Sequence, residues 1–176
     1  CIRDSPEIAR KAAMLRNQGM EKRYANEYVG LNNRMTDIHA AIGRVQLTKL
    51  AGWTKTRQEN AAFLSANITE AVTPTVPEGY VHVYHQYTIR LEGVSGEERD
   101  RFVAALKDEH QVGSGVYYPI PNHRLPSLAP YAPGLELPNT EKVAAECVSL
   151  PVHPSLSQAD LERIVAGVNA CAKAGA

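Results

Sequence analysis

The sequence predicts an α+β fold in which a small mixed or antiparallel sheet of three strands carries helices on one face. Three observations favour this class. Only three segments have the character of strands, and helical segments follow them. One helical pattern, over residues 36–69, is too long for a small domain and predicts a linking helix. The 176 residues are also enough to bury a core without disulfide or metal support.

The first predicted element is a helix over residues 5–18. Ser5 is an N-cap candidate, Pro6 suits the first helical position, and Gly19 suits the end of the helix. Its apolar stripe consists of Ile8, Ala12 and Leu15. Residues 17–33 show little periodicity and many polar and aromatic side chains, which predicts an extended loop.

The longest helical pattern begins at Thr36. Apolar residues recur three or four positions apart, with one longer gap, at Ile38, Ile42, Val45, Leu47, Leu50, Trp53, Ala61, Leu64 and Ile68. No proline interrupts the pattern, so a helix of about 33 residues would be roughly 50 Å long. We expect this helix to connect two bodies, with Gly52 as a place where it could bend.

Three strands are predicted in the second half of the chain. Residues 80–91 alternate between apolar and polar side chains. Residues 112–118 form a second strand, weakened by Gly113 and Gly115, and residues 148–152 form a short third strand.

Helices separate these strands. Ser95 and Glu98 form a capping box at the start of one helix, and Ser157 with Asp160 caps the last one. A short helix precedes the third strand. Six prolines between residues 119 and 138 predict a long irregular loop.

Composition excludes several classes of protein. Basic and acidic residues number 19 each, so the chain lacks the electrostatic signature of nucleic-acid binding. It contains no apolar run long enough to span a membrane and no signal-peptide pattern. Cys1, Cys147 and Cys171 form no CxxC pair, which is typical of a reducing compartment, so we expect the cytoplasm.

The sequence gives little support for a metal or a nucleophile. His82 and His85 face opposite sides of the predicted strand, and His123 and His153 lack a Cys or acidic partner at ligand spacing. We therefore predict no metal site. The absence of GxSxG, GxGxxG and GxxxxGK[ST] motifs leaves no catalytic residue and no phosphate loop to assign.

One polar segment lies just before the long helix. Residues 30–36 bring Asn32, Asn33 and Arg34 to a helix N-terminus, where amide donors and a guanidinium would suit an anion. The alternative, equally supported by the residues alone, is that these side chains only cap and brace the helix.

Polar and aromatic residues also concentrate in residues 84–87 and 117–123. His85 and Tyr87 share a strand face otherwise made of Val and Ile, where such residues more often belong to the core. Rings with hydroxyl and imidazole groups would alternatively suit a sugar or nucleotide ligand.

These segments resemble a known family. Residues 30–50 read G-x-N-x-R-M-T-D-I-x-A-A-I-G-x-x-Q-L-x-x-L, followed by H-Q-Y at 85–87, G-x-Y-Y-P-x-P-x-H at 115–123 and S-L-P-V-H-P-x-L-S at 149–157. The pattern is similar to that of the DegT/DnrJ/EryC1/StrS family, pyridoxal-phosphate (PLP) sugar aminotransferases of the aspartate-aminotransferase fold (fold type I). The resemblance covers essentially the whole chain.

The resemblance implies that the chain is the C-terminal half of such an enzyme. The family's PLP-binding lysine lies in the large domain, and its position would precede Cys1. Residues 1–20 would then be the end of the large PLP domain, residues 21–35 an interface loop and residues 36–176 the small C-terminal domain. We expect the isolated chain to be inactive.

The resemblance also implies the roles of particular residues. Asn32 and Arg34 would contact the PLP phosphate of the other subunit of a homodimer, and His85, Tyr87, Tyr117 and His123 would line the sugar pocket. The cofactor would bind only together with the N-terminal half. The substrates would be glutamate and a nucleotide-linked keto sugar.

Two other functions stay open. A truncated or split gene would leave a non-catalytic domain that folds and dimerises, and the start at Cys1 motivates this alternative. A sugar dehydratase relative, in which the lysine is replaced, would differ only upstream of this chain.

Overall fold

The computed structural model describes residues 4–174, which form five helices and four short strands. In chain order the elements are α1 (Pro6–Leu15), β1 (Met20–Lys22), β2 (Ala25–Asn26), α2 (Asp37–Asn67), β3 (Tyr87–Arg90), α3 (Gly96–His110), α4 (Pro138–Glu146), β4 (Cys147–Leu150) and α5 (Gln158–Ala174). Two 3₁₀ turns, Asn122–Arg124 and Ala129–Tyr131, lie in the proline-rich loop. The predicted α+β class is confirmed.

The chain divides into two compact units between Lys49 and Leu50. The division falls within α2, so this helix contributes residues to both units. The predicted linking helix is therefore present, and its 31 residues nearly match the predicted length. Thr36 caps its N-terminus, because the Thr36 Oγ1 accepts a hydrogen bond from the His39 amide at 3.2 Å.

The first unit contains α1 and a short hairpin. Ser5 caps α1 as predicted, with its Oγ accepting from the Ile8 amide at 3.4 Å. The apolar stripe of this helix does not form its buried face: Ile8 and Leu15 are exposed, and Met14 is the buried side chain of this helix. Residues 17–33, predicted as an extended loop, contain the antiparallel strands β1 and β2. A turn in which Tyr24 adopts a left-handed φ of 68° joins the two strands.

The second unit contains an antiparallel sheet of two strands rather than the predicted three. Strand β3 pairs with β4 from Tyr87 opposite Leu150 to Arg90 opposite Cys147. Residues 112–118 add only one bridge, in which Gly115 and Ser149 exchange both backbone hydrogen bonds. Gly113 and Gly115 supply no side chain that could pack along a strand, which explains why pairing does not extend.

The first predicted strand is also shorter than expected. Residues 80–86 lie outside it, and β3 begins at Tyr87. Tyr84 has a φ of 46°, a left-handed conformation that cannot continue a strand.

The core of the second unit lies between the sheet and the helices α2, α3 and α5. Its fully buried side chains include Leu64, Tyr87, Ile89, Leu106, Val148 and Val168. Buried charges within it are satisfied: the Glu146 carboxylate accepts from Arg90 at 2.8 Å and from the Gly93 amide at 3.0 Å. The capping boxes predicted for α3 and α5 are both present.

Within the described residues, no helix combines the length and apolarity needed to cross a bilayer. Cys147 and Cys171 are buried and free. Cys1, and the predictions that concern residues 1–3, lie outside the described part of the chain.

Candidate functional site

The segment around Gly30 is held against the end of α1 by backbone hydrogen bonds. The Leu31 amide donates to the Leu15 carbonyl at 2.7 Å, and the Asn33 amide donates to the Arg16 carbonyl at 2.9 Å. A Cβ atom on Gly30 would lie 2.7 Å from the Leu15 carbonyl oxygen, closer than real Cβ contacts. The chain therefore needs glycine here, where two backbone segments meet.

A cleft of about 400 Å³ lies in the first unit beside this segment. Three arginines line it, Arg10, Arg16 and Arg34. Glu21 is the only acidic residue among the described lining groups, and its carboxylate pairs with Arg10 at 2.8 Å. Positive charge therefore exceeds negative charge around the cleft, and an anionic ligand would be favoured.

Asn32 orients Arg34 within this segment. The Arg34 Nε donates to the Asn32 Oδ1 at 2.8 Å, which leaves both terminal guanidinium nitrogens without a protein partner among residues 4–174. The sequence predicted Asn32 and Arg34 as cofactor-binding residues, and the structure brings them together. A guanidinium held at one nitrogen and free at the other two can bind a phosphate in bidentate fashion.

A second cavity, of about 490 Å³, lies in the second unit at one end of the sheet. It is lined by Arg57, His85, Gln86, the segment 113–115, Tyr117 and the segment 149–153. Of the predicted substrate residues, His85 and Tyr117 lie here, and both are exposed. A guanidinium, two imidazoles and a phenol make a polar cavity that can bind both hydroxyl and anionic groups.

Three polar side chains of α2 hold the loops that frame this cavity. Arg57 donates to the Tyr84 carbonyl at 3.2 Å and Gln58 donates to the His82 carbonyl at 3.0 Å. The buried Asn60 donates to the His153 carbonyl at 3.1 Å. Loops that lack secondary structure are thus fixed by a rigid helix, as binding sites require.

The Tyr117 ring covers Gly115. A Cβ atom on Gly115 would lie 2.8 Å from Cζ of that ring, so only glycine permits this packing. The neighbouring Ser114 hydroxyl is buried and has no hydrogen-bond partner among the described residues. It is a donor and acceptor at the cavity wall that a ligand or water could satisfy.

Tyr87 lies in the core rather than at a cavity surface. Its side chain is fully buried, and its hydroxyl is 2.8 Å from the Ser65 Oγ. Burial raises the pKa of the Tyr87 phenol, while the Ser65 hydrogen bond acts in the opposite direction. No part of the Tyr87 ring is exposed to a ligand in the part of the chain that the structure describes. The predicted contact between Tyr87 and the sugar stays a prediction.

His123 lies in a third cavity, of about 480 Å³, which Tyr117 also lines. Its imidazole Nε2 is 2.9 Å from the Glu141 Oε1, and its side chain is 5% exposed. Tyr117 is therefore shared between this cavity and the one that contains His85. The four predicted substrate residues thus divide between two neighbouring cavities and the core.

The sequence interpretation missed Arg57 and Glu141. The signal for Arg57 was present, because it fills the longer gap in the apolar stripe, four residues after Trp53 and four before Ala61. An arginine on an otherwise apolar helix face needs a polar partner or a cavity. Glu141 gave no such signal, since an acidic residue in the first turn of a helix is ordinary.

Comparison with known proteins gives one family. The protein-family model described as "DegT/DnrJ/EryC1/StrS aminotransferase family" matches residues 1–169 of this chain. The chain is 36% identical to a "Pleiotropic regulatory protein" of Geobacillus stearothermophilus, over 93% of this chain and 44% of that protein. It is 32% identical to the dTDP-3-amino-3,6-dideoxy-alpha-D-galactopyranose transaminase of Aneurinibacillus thermoaerophilus, again over 93% and 44%.

Solved structures agree with this result. The crystal structure of DesV from S. venezuelae superimposes with a TM-score of 0.84 at 30% identity, covering 96% of this chain and 45% of that one. The chain therefore spans less than half the length of the relatives that it matches.

Proposed function

Because the chain belongs to the DegT/DnrJ/EryC1/StrS aminotransferase family, we propose that it is the C-terminal part of a PLP-dependent aminotransferase. The complete enzyme moves an amino group from glutamate to a nucleotide-linked keto-deoxy sugar, in the biosynthesis of a polysaccharide or glycoside. The family match over residues 1–169 carries the proposal, since the matched region contains all three cavities described above.

The arginine-lined cleft of the first unit fits the phosphate of PLP. Arg34 binds the phosphate through its two free terminal nitrogens, and Asn32 holds the guanidinium in the orientation required. Arg10 and Arg16 add positive charge around the same cleft. When bound, PLP supplies the electron sink for amino transfer, while the protein supplies binding, orientation and electrostatics.

The cavities of the second unit fit the nucleotide sugar. His85 and Tyr117 bind sugar hydroxyl groups, and His123 contributes from the adjoining cavity. Arg57 has one guanidinium nitrogen on the Tyr84 carbonyl and presents its remaining donors to the anionic diphosphate. Tyr87 supports this wall from within the core.

The complete enzyme contains an N-terminal half and is a homodimer in the cytoplasm. Apolar side chains on the N-terminal part of α2 support the need for a covering partner: Ile38 is 74% and Leu47 68% exposed. The same helix buries Ala61 and Leu64 completely. Within the described residues, the exposed apolar surface of α2 is thus concentrated in the first unit.

The test is to mix this chain with the upstream half of its gene product and measure the visible absorbance of bound PLP. We expect absorbance only from the mixture. Arg34→Gln should weaken PLP binding about ten- to a hundredfold, because a charged hydrogen-bonding group is lost. Arg163→Gln, a surface arginine of α5, is the matched control and should bind PLP normally.

A mixture of two folded halves that binds no PLP would refute the proposal. That result would favour the non-catalytic alternative, in which the chain acts only as a folding or dimerisation domain. Aminotransferase activity of this chain alone would contradict the expected division between the halves.

A further inference from the structure

We propose that Glu141 is a positioning residue for His123. It keeps the neutral imidazole in the tautomer protonated at Nε2, and it thereby leaves Nδ1 as a hydrogen-bond acceptor for a hydroxyl group of the sugar. The assignment of the ligand rests on the proposed function, whereas the assignment of the tautomer does not.

His123 and Arg124 both contact one oxygen atom of Glu141. The His123 Nε2 lies 2.9 Å from Oε1 of Glu141. The Arg124 Nε and Nη2 donate to the same oxygen, at 2.8 and 2.5 Å. Arginine can only donate and an ionised carboxylate can only accept, so the proton between His123 and Glu141 belongs to Nε2.

Glu141 is held in its ionised form. The hydrogen bond from His123, followed by that from Arg124, lowers the pKa of the Glu141 carboxyl group below its ordinary value. A neutral carboxylic acid could donate a proton to Nε2, but these two partners disfavour that form.

Two short elements fix the geometry of the pair. His123 and Arg124 belong to the 3₁₀ turn that follows Pro121, where the Arg124 amide donates to the Pro121 carbonyl at 2.9 Å. Glu141 lies in the first turn of α4, and its amide donates to the Leu137 carbonyl at 3.0 Å. The ring is thus oriented by two backbone-bonded segments rather than by a free loop.

Nδ1 is the ring atom that remains for a ligand. No protein group among residues 4–174 bonds to it. A lone acceptor selects a group that donates a proton, such as a sugar hydroxyl, over the diphosphate bridge of a nucleotide sugar, whose oxygens carry no proton near neutral pH and only accept. Tyr117, Tyr118 and Thr140 add hydroxyl groups around the same cavity.

The tautomer is tested by long-range ¹H–¹⁵N NMR of the uniformly labelled chain. The measurement is made at about pH 8, above the ordinary histidine pKa of about 6.5. We expect protonation at Nε2 for His123 in the wild-type chain. Glu141→Gln should keep this tautomer, because Arg124 can only donate and so holds the amide oxygen in place. Glu141→Ala should give a mixture of tautomers.

Two controls accompany this experiment. Glu136→Gln makes the same chemical change at an exposed position in the loop that precedes α4, and it should leave the His123 spectrum unchanged. His82 is an internal reference in every variant, because its Nδ1 accepts the Tyr84 amide at 2.8 Å and its proton must reside on Nε2. Backbone amide spectra verify that each variant is folded.

In the complete enzyme, Glu141→Ala should raise the KM for the nucleotide sugar about fivefold, the effect of one neutral hydrogen bond, with a smaller change in kcat. Glu141→Gln, in contrast to Glu141→Ala, should have the KM of the wild-type enzyme. A wild-type His123 protonated at Nδ1, or a Glu141→Ala enzyme with unchanged KM, would overturn the proposal. A complete enzyme without aminotransferase activity would refute the proposed function, while the NMR result would still decide the role of Glu141.

Discussion

At the scale of single residues, two glycines explain parts of the motifs through which the family is identified. Gly30 lies where the backbone before α2 meets the end of α1, and Gly115 lies under the Tyr117 ring. In both places the space for a Cβ atom is already occupied. These glycines therefore serve the geometry of the clefts rather than backbone flexibility.

Gly30→Ala tests this explanation in the first unit. The methyl group would collide with backbone atoms of residues 15, 18 and 19, so we expect a loss of roughly 1–3 kcal/mol in local stability. Hydrogen exchange of the Leu31 and Asn33 amides measures this loss of stability, since both amides donate to carbonyl groups at the C-terminal end of α1. Gly43→Ala is the matched control: its position on α2 is open, and alanine should stabilise the helix by about 0.5–1 kcal/mol. Equal exchange rates in both variants would contradict the argument.

Tyr87→Phe distinguishes a core residue from a ligand contact. Because the variant leaves the Ser65 hydroxyl without its partner, we expect a loss of about 1 kcal/mol in the free energy of unfolding, measured by urea denaturation. Ser65→Ala should cost a similar amount, and the double variant little more than either single one. Tyr80→Phe, at an exposed tyrosine, is the control and should have no effect. A change in nucleotide-sugar affinity without a change in stability would instead support direct contact by Tyr87.

At the scale of elements, local signals predicted the helices well and the strands poorly. Ser5, Ser95 and Ser157 each cap a helix as predicted, because a cap depends on residues three positions away. Strand pairing depends on distant residues, so the alternation in residues 80–91 did not reveal the left-handed turn at Tyr84. Likewise, Gly115 forms a single bridge where a strand was predicted.

The capping box of α3 predicts a dependence of stability on pH. Hydrogen bonds from the Ser95 backbone and then from its side chain lower the pKa of Glu98 in the folded chain. A lowered folded pKa means that this contribution is complete above the ordinary glutamate pKa and is lost as the pH falls through the folded value. Hydrogen bonds from the Ser157 side chain and then from its backbone likewise lower the pKa of Asp160 in α5. The contribution of Asp160 to stability is therefore also lost at acid pH.

Glu98→Gln isolates this contribution. Glutamine can retain the hydrogen bonds of a capping box but does not titrate, so the variant should lose less stability than wild type between neutral and acid pH. Urea denaturation across that range measures the difference. Glu97→Gln, in the same turn but outside the capping box, should follow the wild-type curve. A Glu98→Gln curve parallel to wild type would show that the capping carboxylate does not contribute.

At the scale of the whole molecule, the sequence singled out the segments of the candidate site but not how they divide between cavities. Asn32 and Arg34 are neighbours in sequence, so their contact could be anticipated. His85, Tyr117 and His123 are separated by long segments, and their division between two cavities depends on the tertiary fold. The burial of Tyr87 depends likewise on Ser65 of α2, which no local pattern connects to it.

The two units also predict how the chain unfolds. The second unit contains nearly all of the buried apolar side chains among the described residues, whereas Met14 is the buried apolar side chain described in the first. Native-state hydrogen exchange should therefore give lower opening free energies for residues 6–33 than for β3, β4 and α3. Leu64→Ala should remove about 2–5 kcal/mol from the second unit, because Leu64 is completely buried.

Leu64→Ala decides whether the units unfold separately. If they do, the variant accelerates exchange in β3, β4 and α3 and leaves residues 6–33 at wild-type rates. Leu47→Ala, at an exposed leucine of the same helix, is the matched control and should change stability by less than about 0.5 kcal/mol. Equal acceleration in both units would mean that α2 couples them into one cooperative structure. Separate unfolding would instead make the first unit the part of the chain that depends most on a covering partner, in agreement with the exposed apolar side chains of α2.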